Sequence, residues 1–161
     1  IKNSLFIFDS YDELNLIDFD LESKNNLLII KSTEMTSLEI NDKLLQLRKT
    51  VDRLTEKNNK VIILEPIPRP FLNTKMFEFV NNNTLNLEYE SWLNYKKNAT
   101  TIYEQIQNEN FYTISLDDVF CTVISCSFTS DEVYYYIDDA HPSFYGANLI
   151  ADKIFNFIND L

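Results

Sequence analysis

His141 is the only imidazole in 161 residues, and it stands three residues after Asp138. On a turn at the carboxyl end of a strand, that spacing lets a carboxylate face the ring. The carboxylate then fixes the tautomer and stabilises the imidazolium, as in a hydrolase triad. The competing reading is an ordinary hydrogen-bonded loop, because such pairs also occur where there is no chemistry. Pro142-Ser143 reads as a helix start with Ser143 as N-cap. Gly146, the only glycine, falls in the first turn, where a missing side chain allows another segment to approach closely.

Other residue sets offer less. Cys121 and Cys126 are either free thiols or the ends of a short disulfide loop, and with one histidine they make no complete zinc set. Asp117-Asp118 with Asp131-Glu132 are acidic enough for calcium but lack EF-hand spacing, which leaves them as solvated loop charge. One glycine excludes both GxGxxG and the P-loop, so no nucleotide cofactor is expected by either motif. Tyr134, Tyr135 and Tyr136 either stack on a sugar or form a half-buried strand. Trp92 begins a helix and reads as core or rim. Asn82-Asn83-Thr84 and Asn98-Ala99-Thr100 match the glycosylation sequon, a pattern that also arises by chance.

The elements that must position these residues follow from apolar periodicity. Ser4–Phe8, Leu27–Ile30, Val61–Leu64 and Phe111–Ile114 are short apolar runs and read as buried strands. Leu44, Leu47, Val51 and Leu54 define an amphipathic helix over about Ser37–Lys57, ended by Asn58-Asn59. Tyr95, Ala99, Ile102 and Ile106 define another over about Glu90–Gln107. Leu14, Ile17 and Leu21 keep helical spacing in an acidic stretch. Pro66, Pro68 and Pro70 force an extended loop after the third strand, and a short helix is expected within Phe71–Phe79. Asp117–Cys126 reads as a loop and Val133–Ile137 as a strand leading to His141. Ala147, Ile150, Ile154, Phe157 and Leu161 form the expected buried stripe of a last helix. Strands alternating with long helices predict an α/β fold, a mostly parallel sheet covered on both faces. Sites in such sheets gather beyond the carboxyl ends of strands, which singles out the loops at 31–37, 65–73 and 138–143.

The length suits one domain, and no apolar run is long enough to span a membrane. The chain opens on Ile1 and reads as a piece of a longer protein. A net charge of -11 repels phosphate backbones and anionic lipid, so no nucleic-acid partner is expected.

Asp138-x-x-His141-Pro142-Ser143-x-x-Gly146 resembles the last conserved block of the SGNH hydrolases. Cys121-x-x-x-x-Cys126 just upstream, and the Ile63-Leu64-Glu65-Pro66-Ile67-Pro68 loop, resemble SGNH domains attached to membrane acyltransferases of the acyltransferase-three family. The likeness covers about residues 26–161. It implies a three-layer sandwich of the SGNH or flavodoxin-like kind, incomplete at the amino end. It implies a serine esterase or acyl-transfer centre in which His141 is general base, then general acid, and Asp138 orients it; Asp139 has the wrong offset for the block. It also implies a membrane acyltransferase domain in the same full-length chain, an extracytoplasmic location, and acyl esters with carbohydrate or lipid acceptors as substrates. No metal or other cofactor belongs to that chemistry.

The chain departs from the family in its first three blocks. It has no Gly-Asp-Ser, no spare glycine for an oxyanion amide, and Lys31-Ser32-Thr33-Glu34 where a Gly-x-Asn-Asp context is usual. Two explanations stand. The first block lies upstream of Ile1, or Phe8-Asp9-Ser10 is a degenerate version with Ser10 as nucleophile. Ser10 also fits as an N-cap of the segment that follows. With neither nucleophile nor oxyanion donors, the domain would be a non-catalytic module that binds acceptor or positions its acyltransferase partner.

Overall fold

The computed structural model of the chain describes residues 5–8, 27–31, 40–56, 58–70, 86–130, 133–138 and 141–161. Its contacts divide it into two compact units. The first comprises Ile1–Pro66 and Lys96–Ser115, the second Ile67–Tyr95 and Leu116–Leu161.

The first unit is built on a four-stranded sheet. Strands β1 (Leu5–Phe8), β2 (Leu27–Lys31), β3 (Lys60–Leu64) and β5 (Phe111–Ile114) lie side by side in that order. Every pairing is parallel, with Leu5 opposite Leu27, Leu28 opposite Val61, and Val61 opposite Phe111. All four strands are the apolar runs expected from the sequence. In β3, Val61 to Leu64 are buried on both sides of the pleat, as an inner parallel strand requires.

Helix α1 (Ile40–Thr55) and helix α2 (Tyr89–Glu104) supply the crossovers on either side of β3. Leu47, Val51 and Leu54 of α1 form one cluster with Ala99, Ile102 and Tyr103 of α2 and with Val61 and Ile63 of β3. Val61 and Ile63 alternate, so they share one face of the sheet, and both helices therefore pack on that face. The strand order accounts for this: β3 and β5 are each added beside the strand before in one direction, and right-handed crossovers then deliver α1 and α2 to the same side. Helix α1 stops where the asparagines intervene. Asn58 takes a positive φ of 59°, the left-handed conformation that asparagine tolerates. The Asn59 side chain donates to the Leu54 carbonyl at 2.8 Å, and Thr55 Oγ1 donates to Val51 at 2.8 Å. These bonds satisfy last-turn carbonyls that the helix leaves open.

The second unit is made of short pieces. Strand β4 (Asn86–Glu88) pairs antiparallel with β6 (Ser125–Ser127), and β7 (Thr129–Ser130) pairs antiparallel with β8 (Val133–Tyr134). A single-turn helix α3 (Asp117–Phe120) and β6 occupy the stretch expected to be a loop. Trp92, Leu116, Phe120, Cys126, Phe128 and Tyr136 are buried here. The Tyr136 ring packs against Phe120 and Phe128 at centroid distances of 5.9 and 5.8 Å. Cys121 and Cys126 are joined as a disulfide.

Helix α4 (Phe144–Asp160) closes the chain. Its inner face carries Ile150, Ile154 and Phe157 as expected, but these are half-buried, and Ala147 and Leu161 are exposed. Strand β8 is likewise shorter than the expected Val133–Ile137 run. Val133 and Tyr134 are exposed, and their strand pairing is with β7, so among the described residues the turn that follows does not leave a strand of the parallel sheet. Residues 11–25, the 32–37 loop, Phe71–Phe79 and the Asn82 sequon lie outside the described residues. Asn98, of the other sequon, is half-buried within α2.

Candidate active site

The turn from Tyr136 to Pro142 is closed by its backbone before its side chains are considered. Tyr136 and Pro142 form an antiparallel bridge, and Ile137 N–H donates to the His141 carbonyl at 2.9 Å. Asp138 sits inside this closed loop and grips His141 twice. One carboxylate oxygen accepts the His141 backbone N–H at 2.6 Å, and the other lies 2.6 Å from ring Nδ1. The backbone bond, three residues along the chain, fixes the carboxylate against the turn. The second oxygen is thereby aimed at the ring. An ionised carboxylate only accepts, so Nδ1 carries a proton, and in the neutral ring that tautomer places the lone pair on Nε2. The imidazole is 72% exposed and the Asp138 side chain 34%, which leaves Nε2 open to an incoming group. Such an arrangement can take a proton from a hydroxyl and hold the resulting imidazolium.

The helix that follows fixes the exit from the turn. Ser143 caps α4: its hydroxyl accepts Gly146 N–H at 3.1 Å and donates to the Tyr134 carbonyl at 2.6 Å. The cap expected from sequence is thus also a tie to β8. Ser143 N–H donates to the Tyr135 carbonyl at 2.8 Å. Gly146 is buried against the same carbonyl group, whose carbon would stand 3.0 Å from a Cβ built there. The sole glycine is required by this approach, and its N–H is already spent on the cap.

The other end of the turn is bolted to the proline loop. The buried Tyr136 hydroxyl donates to the Pro68 carbonyl. Burial pushes the Tyr136 phenol well above its ordinary pKa, against a smaller opposing pull from the Arg69 guanidinium. Arg69 lies near Tyr95 as well, with Nη2 3.4 Å from its hydroxyl. Tyr95 is raised by burial in the same sense, again partly offset by Arg69. Sequence spacing carried no sign of this Tyr136–Pro68 bond, since the partners are 68 residues apart.

Two further polar clusters sit within single units. Asp117 accepts from Trp92 Nε1 at 2.8 Å and from the Tyr89 hydroxyl at 3.1 Å. It is therefore a core anchor for the fully buried Trp92 rather than the solvated loop charge expected. In the sheet unit, Lys96 Nζ lies 3.1 Å from Glu65 and 3.3 Å from Ser115 Oγ. Glu65 and Ser115 directly follow β3 and β5, so this pair stands at the carboxyl ends of two neighbouring strands.

Ser10 and Asp139 lie outside the described residues. No group of three or more metal-ligating side chains occurs among the described residues, and no described helix is long and apolar enough to cross a membrane.

A parallel sheet with helical crossovers makes this an α/β protein, and its second unit carries a capped turn with a carboxylate-held imidazole. The family described as SGNH domain (fused to AT3 domains) matches residues 8–155, and the chain belongs to it. It is an SGNH-like domain of the kind joined to an acyltransferase-three domain. Neither the curated proteins nor the solved structures yielded a match.

Proposed function

We infer that this single SGNH-like domain is part of a longer membrane-attached protein and transfers or hydrolyses acyl groups. The acyl esters belong to carbohydrate or lipid acceptors on the extracytoplasmic side. The observation that carries this reading is the double grip of Asp138 on an exposed His141, 2.6 Å at both contacts. His141 Nε2 takes the proton of a serine hydroxyl as that oxygen attacks the acyl carbonyl. It then gives the proton to the departing alcohol, and Asp138 stabilises the imidazolium between the two steps. The acyl-serine is released to water or to an acceptor hydroxyl by the same proton route in reverse.

Ser10 is the nucleophile in this proposal. It follows β1 after a single intervening residue, and the family match beginning at residue 8 includes it. The Cys121–Cys126 disulfide supports the extracytoplasmic location, because such bonds persist in oxidising compartments.

A second reading has its own observation. Gly146 N–H is committed to Ser143, so the amide of the sole glycine is not open to stabilise an oxyanion. A module that binds acceptor without chemistry fits that shortage.

One experiment separates the readings. The chain is incubated with a chromogenic acetyl ester and, separately, with a serine-directed phosphonate. Turnover with labelling at Ser10, both lost in Ser10→Ala and His141→Ala, supports the enzyme. Absence of turnover and labelling, restored when upstream sequence is added, moves the nucleophile out of this chain. Absence under both conditions leaves the binding module.

A further inference from the structure

The disulfide loop ends in two aliphatic side chains that nothing in the second unit covers. Val123 is 89% exposed and Ile124 78% exposed. They form the tip of a six-residue ring closed by Cys121 and Cys126, which are bridged through backbone as well as sulfur. Cys121 to Ser130 carries no charged side chain, in a chain where 24% of residues are charged.

The loop's hydrogen bonding is unusual for exposed chain. Thr122 N–H donates to the Ser125 carbonyl at 2.8 Å. Thr122 Oγ1 receives the N–H groups of Ile124 and Ser125, each at 3.2 Å, and donates to the Ser125 carbonyl at 3.2 Å. The Ile124 carbonyl accepts Tyr89 N–H at 3.0 Å. Both backbone polar groups of Ile124 and of Ser125 are thus satisfied within the protein. A surface loop normally leaves them to water, and that is what keeps such loops out of apolar surroundings.

We propose that the Val123-Ile124 tip inserts into the interfacial region of a zwitterionic lipid bilayer and sets the height of the domain above it. The proposal rests on the reading that the domain works beside a membrane acyltransferase. An uncharged tip whose Ile124 N–H and C=O are already paired leaves water at a lower desolvation cost than an open loop, and its ring closure means that little chain entropy is lost on entry. Two side chains fall far short of the roughly 800 Å² per partner of a stable protein interface, whereas a bilayer needs no matching surface. The net charge of -11 disfavours anionic headgroups, so the lipid is a neutral zwitterion such as phosphatidylcholine.

The test is co-sedimentation of the chain with phosphatidylcholine vesicles, for the wild type and for Val123→Ser with Ile124→Ser. Both side chains are exposed, so the double variant keeps its unfolding temperature. Binding should weaken by roughly tenfold for each aliphatic side chain replaced. In a second arm, Ile124→Trp should show a blue-shifted emission quenched by brominated lipid, against an unquenched background from the buried Trp92. Equal sedimentation of wild type and double variant, or no binding by either, overturns the proposal. So does binding only to vesicles that carry the acyltransferase domain, which would make the tip a protein contact. Membrane fractionation of the full-length protein tests the underlying reading separately: membrane association there, with no role for the tip here, removes the tip alone.

Discussion

Asp138 holds His141 through both carboxylate oxygens, one on the backbone N–H and one on ring Nδ1, at 2.6 Å each. The two bonds have different jobs. The first positions the carboxylate and the second orients the ring, and only the second depends on charge for the tautomer it selects.

Asp138→Asn separates them. Its amide oxygen can still accept the backbone N–H, so the turn should survive with little change in unfolding temperature. The charge that steadies the imidazolium is gone, and the amide nitrogen can present a donor to Nδ1, which favours the wrong tautomer. Ester turnover should fall by about a hundredfold or more. Because His141 is the only histidine, its imidazole nitrogen resonances report the tautomer without assignment ambiguity. Nδ1-protonated imidazole is expected in the wild type, with the Nε2-protonated form gaining in the variant. Unchanged turnover would assign the pair to structure alone.

Gly146→Ala tests the close approach that this residue permits. The new methyl would be driven into the Tyr135 carbonyl group, which is backbone and cannot rotate away. Overpacking of this kind costs about 1–3 kcal/mol, and relief would require α4 to shift away from its Ser143 cap. A denaturant titration should show a lower midpoint, and turnover should fall because the His141 turn leads directly into that cap. A variant as stable as the wild type would remove the account given for the sole glycine.

The parts of the molecule that were legible in sequence are those set by local periodicity. Leu47, Val51 and Leu54 declare a helix by spacing alone, and Val61–Leu64 declares an inner strand by being wholly apolar. The Asp138–His141 contact was legible because three residues on a turn leave little freedom. The hairpins β4–β6 and β7–β8 were not, since strands of two or three residues carry no period to detect. Nor was the sharing of one sheet face by α1 and α2, which depends on the order in which strands are added. Lys96 reads locally as an ordinary helix surface residue, and Asp117 as loop charge. Each becomes a core residue only through partners 19 to 31 positions away.

Lys96 and Glu65 are therefore expected to behave as a buried pair. Their side chains are 8% and 14% exposed, so each charge has little water to fall back on. Lys96→Met should destabilise by about 3–5 kcal/mol, because it strands the Glu65 carboxylate next to buried strand ends. Combining Lys96→Met with Glu65→Leu should recover much of that loss, since an apolar pair of similar size avoids the desolvation cost. A double-mutant cycle by chemical denaturation measures the coupling. Additive losses would show that the two charges do not depend on one another.

Tyr136 makes the chain sensitive to alkali, and the sign follows from its burial. The folded phenol is raised above its ordinary value, whereas the unfolded chain releases its proton near pH 10, as about usual for tyrosine. Above that pH the folded state holds a proton that the unfolded state has lost, so stability is fully present below the unfolded pKa and declines as pH rises past it. Tyr95, also raised, adds in the same direction but is less enclosed. Tyr136→Phe keeps the ring packed against Phe120 and Phe128 and removes both the ionisation and the bond to Pro68. Below pH 9 it should cost about 1 kcal/mol for the lost hydrogen bond, with the Pro68 carbonyl left short of a donor. Between pH 10 and 12 its stability should fall less steeply than that of the wild type, so the two curves converge. Unfolding curves of both proteins across that range decide the matter, and parallel slopes would mean that Tyr136 does not carry the alkaline transition.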